Sequence, residues 1–254
     1  MQILFDPYYL VAFLFGTVRC AAWLVITPPF QGAVPARVRG GLAVALGLAM
    51  APRLKQQGIG DLGSWSLILG VFHQALIGLS LGLLVFVLFQ AFAGAGAMID
   101  YFAGLTAGNI YDPLSASANG PVSRLYQLIG TTVIFLTNGH LVILGGLSRS
   151  FDLSFANGFH IDRLGVLLTR DVLTYLTAAL QIAAPILAAL FVTELLLGLA
   201  TRAAPKLNIM ILGFGVKSLV TFMLLGAALP LVAYVSISLV RNAMDSMAAL
   251  LAGG

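Results

Sequence analysis

An all-α membrane protein is the fold class this sequence predicts, on three observations. Only 9% of the 254 residues are charged, 60% are hydrophobic, and the mean hydropathy is +1.02. A soluble domain carries about 25% charged residues, so this chain has too little polar surface to cover a globule in water. The apolar residues are gathered into long blocks, and Leu62 to Ile99 contains no Asp, Glu, Lys or Arg. None of the blocks alternates with period two, as the ~10-residue strands of a transmembrane barrel would, so helices are expected throughout.

The first block, Tyr8 to Thr27, is interrupted by Arg19. A charge at the centre of a membrane helix costs ~2.5–3.5 kcal/mol on insertion scales, so Arg19 should face protein or water. The first charge of the chain is Asp6, where a cleavable signal peptide would be basic, so this segment is expected to be retained. The single cysteine, Cys20, excludes an internal disulfide and a multi-cysteine metal site and reads as a buried, inert thiol.

The second block, Leu42 to Ala51, falls short of the ~20 residues of a span unless its flanking arginines are included. Pro52 to Ser66 reads as a polar connector. The third block runs 33 residues from Leu67 to Ile99. As one helix it would be ~50 Å long against a hydrocarbon core of ~30 Å, too long for one span and too short for two. Asp100 to Arg124 is rich in Gly, Ser, Asn and Pro; Leu125 to Ser148 is free of formal charge; Arg149 to Asp171 carries three charges of each sign. Val172 to Thr193 is apolar and ends at Glu194, which sits at a membrane edge or pairs inside an assembly. Ser218 to Val240 is the last block, followed by a tail with Arg241 and Asp245.

Six alternating spans would place six Lys/Arg in the connectors on one side and six on the other. The positive-inside rule then selects no orientation, so simple alternation across a bilayer is a poor description. Small residues recur four apart at Ala12/Gly16, Gly78/Gly82 and Gly104/Gly108, a spacing that lets helix backbones approach closely in lipid.

The net charge of +4 is thinly spread, which argues against a nucleic-acid partner. HExxH, GxSxG and GxGxxG are absent, and a second intramembrane aspartate for a protease dyad is missing. No catalytic residue, cofactor site or metal site is expected, and the chain is not read as an enzyme. His73 and His140 lie in apolar runs and are expected to be hydrogen-bonded packing residues. The segment Gly104 to Gly120, GLTAGNIYDPLSASANG, is denied a regular helix by Gly and Pro. It is either a solvent loop or a re-entrant, pore-occluding element, because unpaired backbone in lipid must be buried in protein or line a cavity.

Four stretches in order, VPARVRGGLAVALGLAMAP, the DP…NG loop, NGH at Asn138 to His140, and RAAPKLNIMILGFGVK, resemble the FliR family of type III secretion export gates. The likeness covers nearly the whole chain; one departure is Gly215-Val216-Lys217, where relatives often place a proline before the lysine. The resemblance implies long kinked helical hairpins. A FliP-like part over about 1–165, with a plug loop at 104–120, would be followed by a FliQ-like hairpin over about 166–254. It implies an export-gate subunit that assembles with FliP and FliQ in the bacterial inner membrane at the flagellar basal body. FlhB-like and FlhA-like platform proteins, membrane lipids and unfolded flagellar export substrates are the other implied partners. Helices that sit largely above the bilayer plane once assembled would account for the oversized third block and the undecided charge count. By match, Gly104, Gly108, Asp112, Pro113, Asn119 and Gly120 belong to the plug. Pro35, Arg37, Arg39, His140, Glu194, Arg202, Pro205, Lys206, Asn208 and Lys217 belong to family motifs or assembly contacts. The equivalent subunit of a virulence injectisome is the alternative, and a self-contained transporter using Arg19 and Glu194 is a more distant one.

Overall fold

The computed structural model describes residues 6–31, 34–56, 63–106, 120–152, 161–204 and 209–251, and all regular structure among them is helical. In chain order the helices are α1 (Pro7–Ile26), α2 (Pro28–Gln31), α3 (Ala36–Gln56), α4 (Ser64–Ala103), α5 (Pro121–Leu136), α6 (Gly139–Arg149), α7 (Ile161–Ala203) and α8 (Ile209–Leu251). A 3₁₀ turn, Ser150–Asp152, follows α6.

Local chemistry sets the boundaries. The Asp6 carboxylate accepts the Tyr8 N–H at 3.0 Å, and Pro7 stands where a helix has no use for an N–H, so α1 starts there. Pro28 and Pro29 follow its end. Asn138, in the left-handed region at φ 57°, separates α5 from α6. The block Leu125 to Ser148 is thus two helices. Helix α7 stops at Ala203, two residues before Pro205.

The third block forms one continuous helix of 40 residues, ~60 Å at 1.5 Å per residue. Both α7 and α8 have 43 residues, with Pro185 and Pro230 inside them. Each of the three exceeds a ~30 Å hydrocarbon core. Among the described residues, α1, α4, and the Arg163–Ala203 and Leu212–Leu251 stretches are long and apolar enough to cross a membrane; the broken pair Pro121–Leu136 and Gly139–Asp152 is a fifth span or a re-entrant loop. Helix α3, the second block, is not in that set. It also runs past Pro52 to Gln56, through residues expected to form a connector.

The chain forms two compact units. The first contains residues up to 88, 138–172 and from 239 onward. Its α1 buries a stripe of Ala12, Phe15, Gly16, Arg19, Cys20, Trp23 and Leu24, while α3 buries Ala43, Gly47, Ala51 and Leu54. Glycines set the approach. A Cβ on Gly16 would lie 3.0 Å from the Gly47 carbonyl oxygen, and one on Gly47 would meet the Thr17 nitrogen at 2.6 Å. Gly78 and Gly82 of α4 abut the backbone of α1 at Arg19 and Trp23. Of the three four-residue spacings read from sequence, Gly78/Gly82 is a helix contact and so is Gly16 of Ala12/Gly16, while Gly104 is uncrowded and Gly108 lies outside the described residues.

The second unit contains residues 89–137 and 173–238. Gly96 of α4 lies against the backbone of Val122 and Ser123, and Gly130 of α5 against the Phe92 ring. Gly94 of α4 lies against Tyr175 of α7. Helical hydroxyls are spent internally: Thr131, Thr177, Thr193, Thr201, Thr221 and Ser236 each donate to the carbonyl four residues back. This removes the cost of a free hydroxyl in an apolar setting. Helix α7 is largely uncovered, with Phe191, Leu195, Leu196 and Leu199 exposed on it. A face that size requires lipid or protein to cover it.

Candidate functional site

The polar chemistry of the second unit gathers where α4 ends and α5 begins. Gly120 precedes α5 with extended backbone and no side-chain oxygen to cap it, and Pro121 has no N–H. The next two amides need an acceptor. Asp100, fully buried, supplies it from another helix: Oδ1 accepts the Val122 N–H at 3.0 Å and Oδ2 the Ser123 N–H at 2.9 Å. Hydrogen bonds to a charged group contribute ~1.5–3 kcal/mol each, and a carboxylate also complements the positive end of the helix dipole.

The same residue holds the other strand of this neck. Its carbonyl accepts the Leu105 N–H at 2.9 Å, and Gly104 donates to the Tyr101 carbonyl at 3.1 Å. Gly104 has φ +77°, with Phe214 no nearer than 3.9 Å to the place of a Cβ; its backbone angle, not crowding, calls for glycine. At Gly120 the reverse holds, because a Cβ would collide with the Asp100 carboxylate. Ser123 closes the arrangement by donating from Oγ to the Ala93 carbonyl at 3.0 Å.

Of the residues expected to form the plug, Gly104 and Gly120 stand at the two ends of this neck. Gly108, Asp112, Pro113 and Asn119 lie outside the described residues. Sequence reasoning weighed Asp100 only as half of a protease dyad, set that aside, and did not foresee its capping role. The signal available was Gly120-Pro121, a helix start with neither a capping side chain nor a first N–H.

Between α7 and α8, Glu194 and Lys217 form an ion pair. Glu194 is largely exposed and Lys217 mostly covered. Arg202 lies exposed in the last turn of α7, where a cation complements the negative helix end. Pro205, Lys206 and Asn208 lie outside the described residues.

In the first unit, Arg19 is 2% exposed and its partners are neutral. Nε donates to Gln74 Oε1 at 2.6 Å, Nη1 donates to the Ser150 carbonyl at 2.5 Å and lies 3.2 Å from Ser150 Oγ, and the guanidinium carbon sits 4.4 Å from the Phe151 ring centroid. The expectation that Arg19 faces protein holds; Gln74 and Ser150 were not foreseen. Pro35 and Arg37 are exposed before and within the first turn of α3, with Arg39 half-buried beside them, while His140 is half-buried on α6. The other end of α3 is neutralised within the chain, by Arg53 on Asp152 at 3.2 Å and Lys55 on Asp6 at 2.6 Å.

Residues 10–243 match the model of a family described as bacterial export proteins, family 1. The flagellar biosynthetic protein FliR of Bacillus subtilis (strain 168) is 27% identical over 247 residues, covering 95% of each chain. That of Pectobacterium carotovorum subsp. carotovorum is 30% identical, over 94% of this chain and 92% of its own. Yop proteins translocation protein T of Yersinia pestis is 27% identical, over 74% of this chain and 73% of its own. With a family match spanning nearly the whole chain and several long apolar helices, this protein belongs to the bacterial export proteins, family 1.

Proposed function

We propose that this protein is the FliR-type subunit of a flagellar type III secretion export gate. The observation that carries the reading is the match to flagellar FliR proteins over almost the full length of both chains, against about three quarters for the virulence relative. The protein forms, with FliP and FliQ, the passage through which unfolded flagellar proteins leave the cell. It sits in the inner membrane at the basal body, with FlhB-like and FlhA-like platform proteins on its cytoplasmic side. Its FliP-like part spans about 1–165 and its FliQ-like hairpin about 166–254. The exposed apolar face of α7 suits burial against lipid and neighbouring gate subunits. The protein contributes a conduit and not a reaction.

The segment between Gly104 and Gly120 is the plug of this gate. Small residues lose little packing when such a segment gives way to a passing polypeptide. The cations near the α7–α8 turn, Arg202, Lys206 and Lys217, serve contacts at the assembly's cytoplasmic edge. Deleting the gene should abolish swimming and the export of filament protein while leaving effector secretion intact. The protein should co-purify with FliP and FliQ as a large complex. Extraction as a stable, functional monomer would overturn the reading. Deleting 106–119 should leave the complex assembled but leaky to small ions.

A further inference from the structure

Within the first unit, α4 shows two faces of opposite character. The face toward α1 meets it through glycine: Gly70 lies against the Phe15 ring, Gly78 against the Arg19 backbone and Gly82 against the Trp23 backbone, with Gln74 accepting from Arg19 between them. The other face carries Trp65, Ile68, Leu69, Phe72 and Leu79, all exposed and spaced by three, four or seven residues along one side of the helix. Trp65 is 72% exposed, whereas Trp23, the other tryptophan of the chain, is fully buried. From Trp65 to Leu79 the stripe is ~21 Å long at 1.5 Å per residue, and fits inside one ~30 Å hydrocarbon core.

Contacts fix the end at which Trp65 stands. Gly70, Gly78 and Gly82 meet Phe15, Arg19 and Trp23 in ascending order, so α4 runs parallel to α1. Gly47 meets Gly16 and Lys55 reaches Asp6, so α3 runs antiparallel to α1. Trp65 therefore stands at the end of this unit where Lys55 pairs with Asp6 and Arg53 with Asp152. Arg149 is exposed there too, next to Ser148, whose hydroxyl lies 3.0 Å from Arg53 Nη1. Of these five charges the two acids are matched, and Arg149 remains in excess.

We infer that this face of α4 is a phospholipid contact: Trp65 lies at the membrane–water interface among headgroups, and Ile68, Leu69, Phe72 and Leu79 face acyl chains. An indole suits that place, with an apolar ring and one N–H donor. The excess cation at the same end complements lipid phosphates. A neighbouring protein helix is the poorer occupant. Helices in lipid meet through small residues that let backbones approach, and all three glycines of this stretch are already spent on α1. The exposed side has only bulky apolar groups, which hydrocarbon covers as well as protein does. The contact goes beyond the export reading and does not depend on it. It assigns one end of the first unit to the membrane surface, a choice on which the balanced Lys/Arg count is silent.

The test uses the full-length protein, purified from membranes with its associated subunits and reconstituted into vesicles of phosphatidylcholine and phosphatidylglycerol. The emission lost in Trp65→Phe, or in Trp65→Tyr if the first is not recovered, is that of Trp65. Lipids brominated close to the headgroup should quench this emission about twofold, as expected for an indole at the interface. Lipids brominated at the chain end should quench it less, and aqueous iodide only weakly. Emission untouched by either lipid would mean that protein covers the face, and iodide quenching without lipid quenching would mean that water does; each overturns the inference. Stronger quenching from the chain end than from the headgroup overturns the interfacial place of Trp65. A second measurement needs no variant. Phosphatidylcholine carrying a diazirine on its acyl chain, photolysed in the same vesicles, should leave adducts on Ile68, Leu69 or Phe72 that mass spectrometry locates. Adducts elsewhere on the chain with none on this stripe would overturn the lipid contact even if neither tryptophan variant is recovered.

Discussion

Arg19 Nη1 donates to the Ser150 carbonyl oxygen at 2.5 Å, joining the middle of α1 to the turn that ends α6 across 131 positions of sequence. A terminal helix carbonyl carries partial negative charge, so a buried cation finds electrostatic compensation there without a carboxylate. The second donor goes to Gln74, and the guanidinium face to Phe151. The contact also fixes the turn bearing Asp152, the partner of Arg53. Arg19→Met keeps much of the bulk but leaves the Gln74 and Ser150 acceptors unpaired. Each such orphan costs ~1–3 kcal/mol. The variant should lower the melting temperature of the solubilised protein and its level in membranes. Arg19→Lys, with a single ammonium for two separated acceptors, should recover only part. A permease-type role would instead predict normal stability with altered transport.

Glycine contacts should separate into two groups. Gly47→Ala and Gly96→Ala each press a methyl into a neighbouring backbone, which cannot yield as a side-chain end can. Overpacking of this kind costs ~1–3 kcal/mol, and both variants should melt earlier. Gly40, Gly41 and Gly145 have no atom within 4 Å of a Cβ position. Alanine there removes the helix penalty of glycine, about 0.5–1 kcal/mol, and should be neutral or slightly stabilising. Equal effects in the two groups would contradict the helix packing described for α1, α3, α4 and α5.

The Asp6–Lys55 pair gives a pH dependence with a defined sign. The Lys55 ammonium, followed by the Tyr8 amide, holds the Asp6 carboxyl below its ordinary 3.8. A depressed carboxyl contributes stability above its unfolded value and loses it as pH falls through the folded one. Wild type and Lys55→Met should differ in melting temperature at neutral pH, and the difference should vanish once Asp6 is protonated, below pH 3.8. Because the pair is solvent-exposed, the difference is small and should shrink further in high salt. A gap that persisted at low pH would mean Lys55 acts through its alkyl chain.

The Glu194–Lys217 pair links α7 to α8 beside a turn whose residues lie outside the described set. Reversing one charge, Lys217→Glu, sets two carboxylates together and should weaken assembly. Adding Glu194→Lys should restore most of the loss. A pair with one exposed partner contributes little to the isolated chain, about 0–1 kcal/mol, so the readout is complex yield at limiting subunit and not the melt of the isolated chain. Failure of the exchange to restore yield would mean that Lys217 faces a neighbouring subunit.

Particular residues show what the sequence could disclose. The charge-free run to Ile99 announces a helix, and α4 is that helix. Its length, awkward for a bilayer, was visible as well. The end of α3 was not. Pro52 and two cations read as a connector, yet Arg53 and Lys55 suit the negative end of a helix and reach Asp152 and Asp6. Periodicity carries no information about such distant acids. The demand for buried partners around Arg19 follows from its position alone, but which neutral groups answer it depends on how α1, α4 and α6 pack. Asp100 was the hardest to see. Its role is set by amides on a separate helix, and a spacing of 22 residues has no local signature.

Asp171 is the clearest remaining case of a buried carboxyl whose role can be decided by substitution. It is 2% exposed; Oδ1 meets Ser246 Oγ at 2.7 Å and Oδ2 has no hydrogen-bond partner among the described residues. Burial opposes this charge more strongly than the Ser246 hydroxyl and the nearby Arg170 support it. Asparagine retains the shape and the acceptor for Ser246 without the charge. Asp171→Asn should therefore match or exceed wild type in melting temperature, while Ser246→Ala should lose ~1.5–3 kcal/mol, the contribution of one hydrogen bond to a charged group. Both should support export, scored as filament protein in the medium. An Asn variant that assembles normally yet fails to export, while Asp171→Glu exports, would assign the carboxyl a proton-carrying task, because Asn removes the ability to ionise and turns one acceptor into a donor.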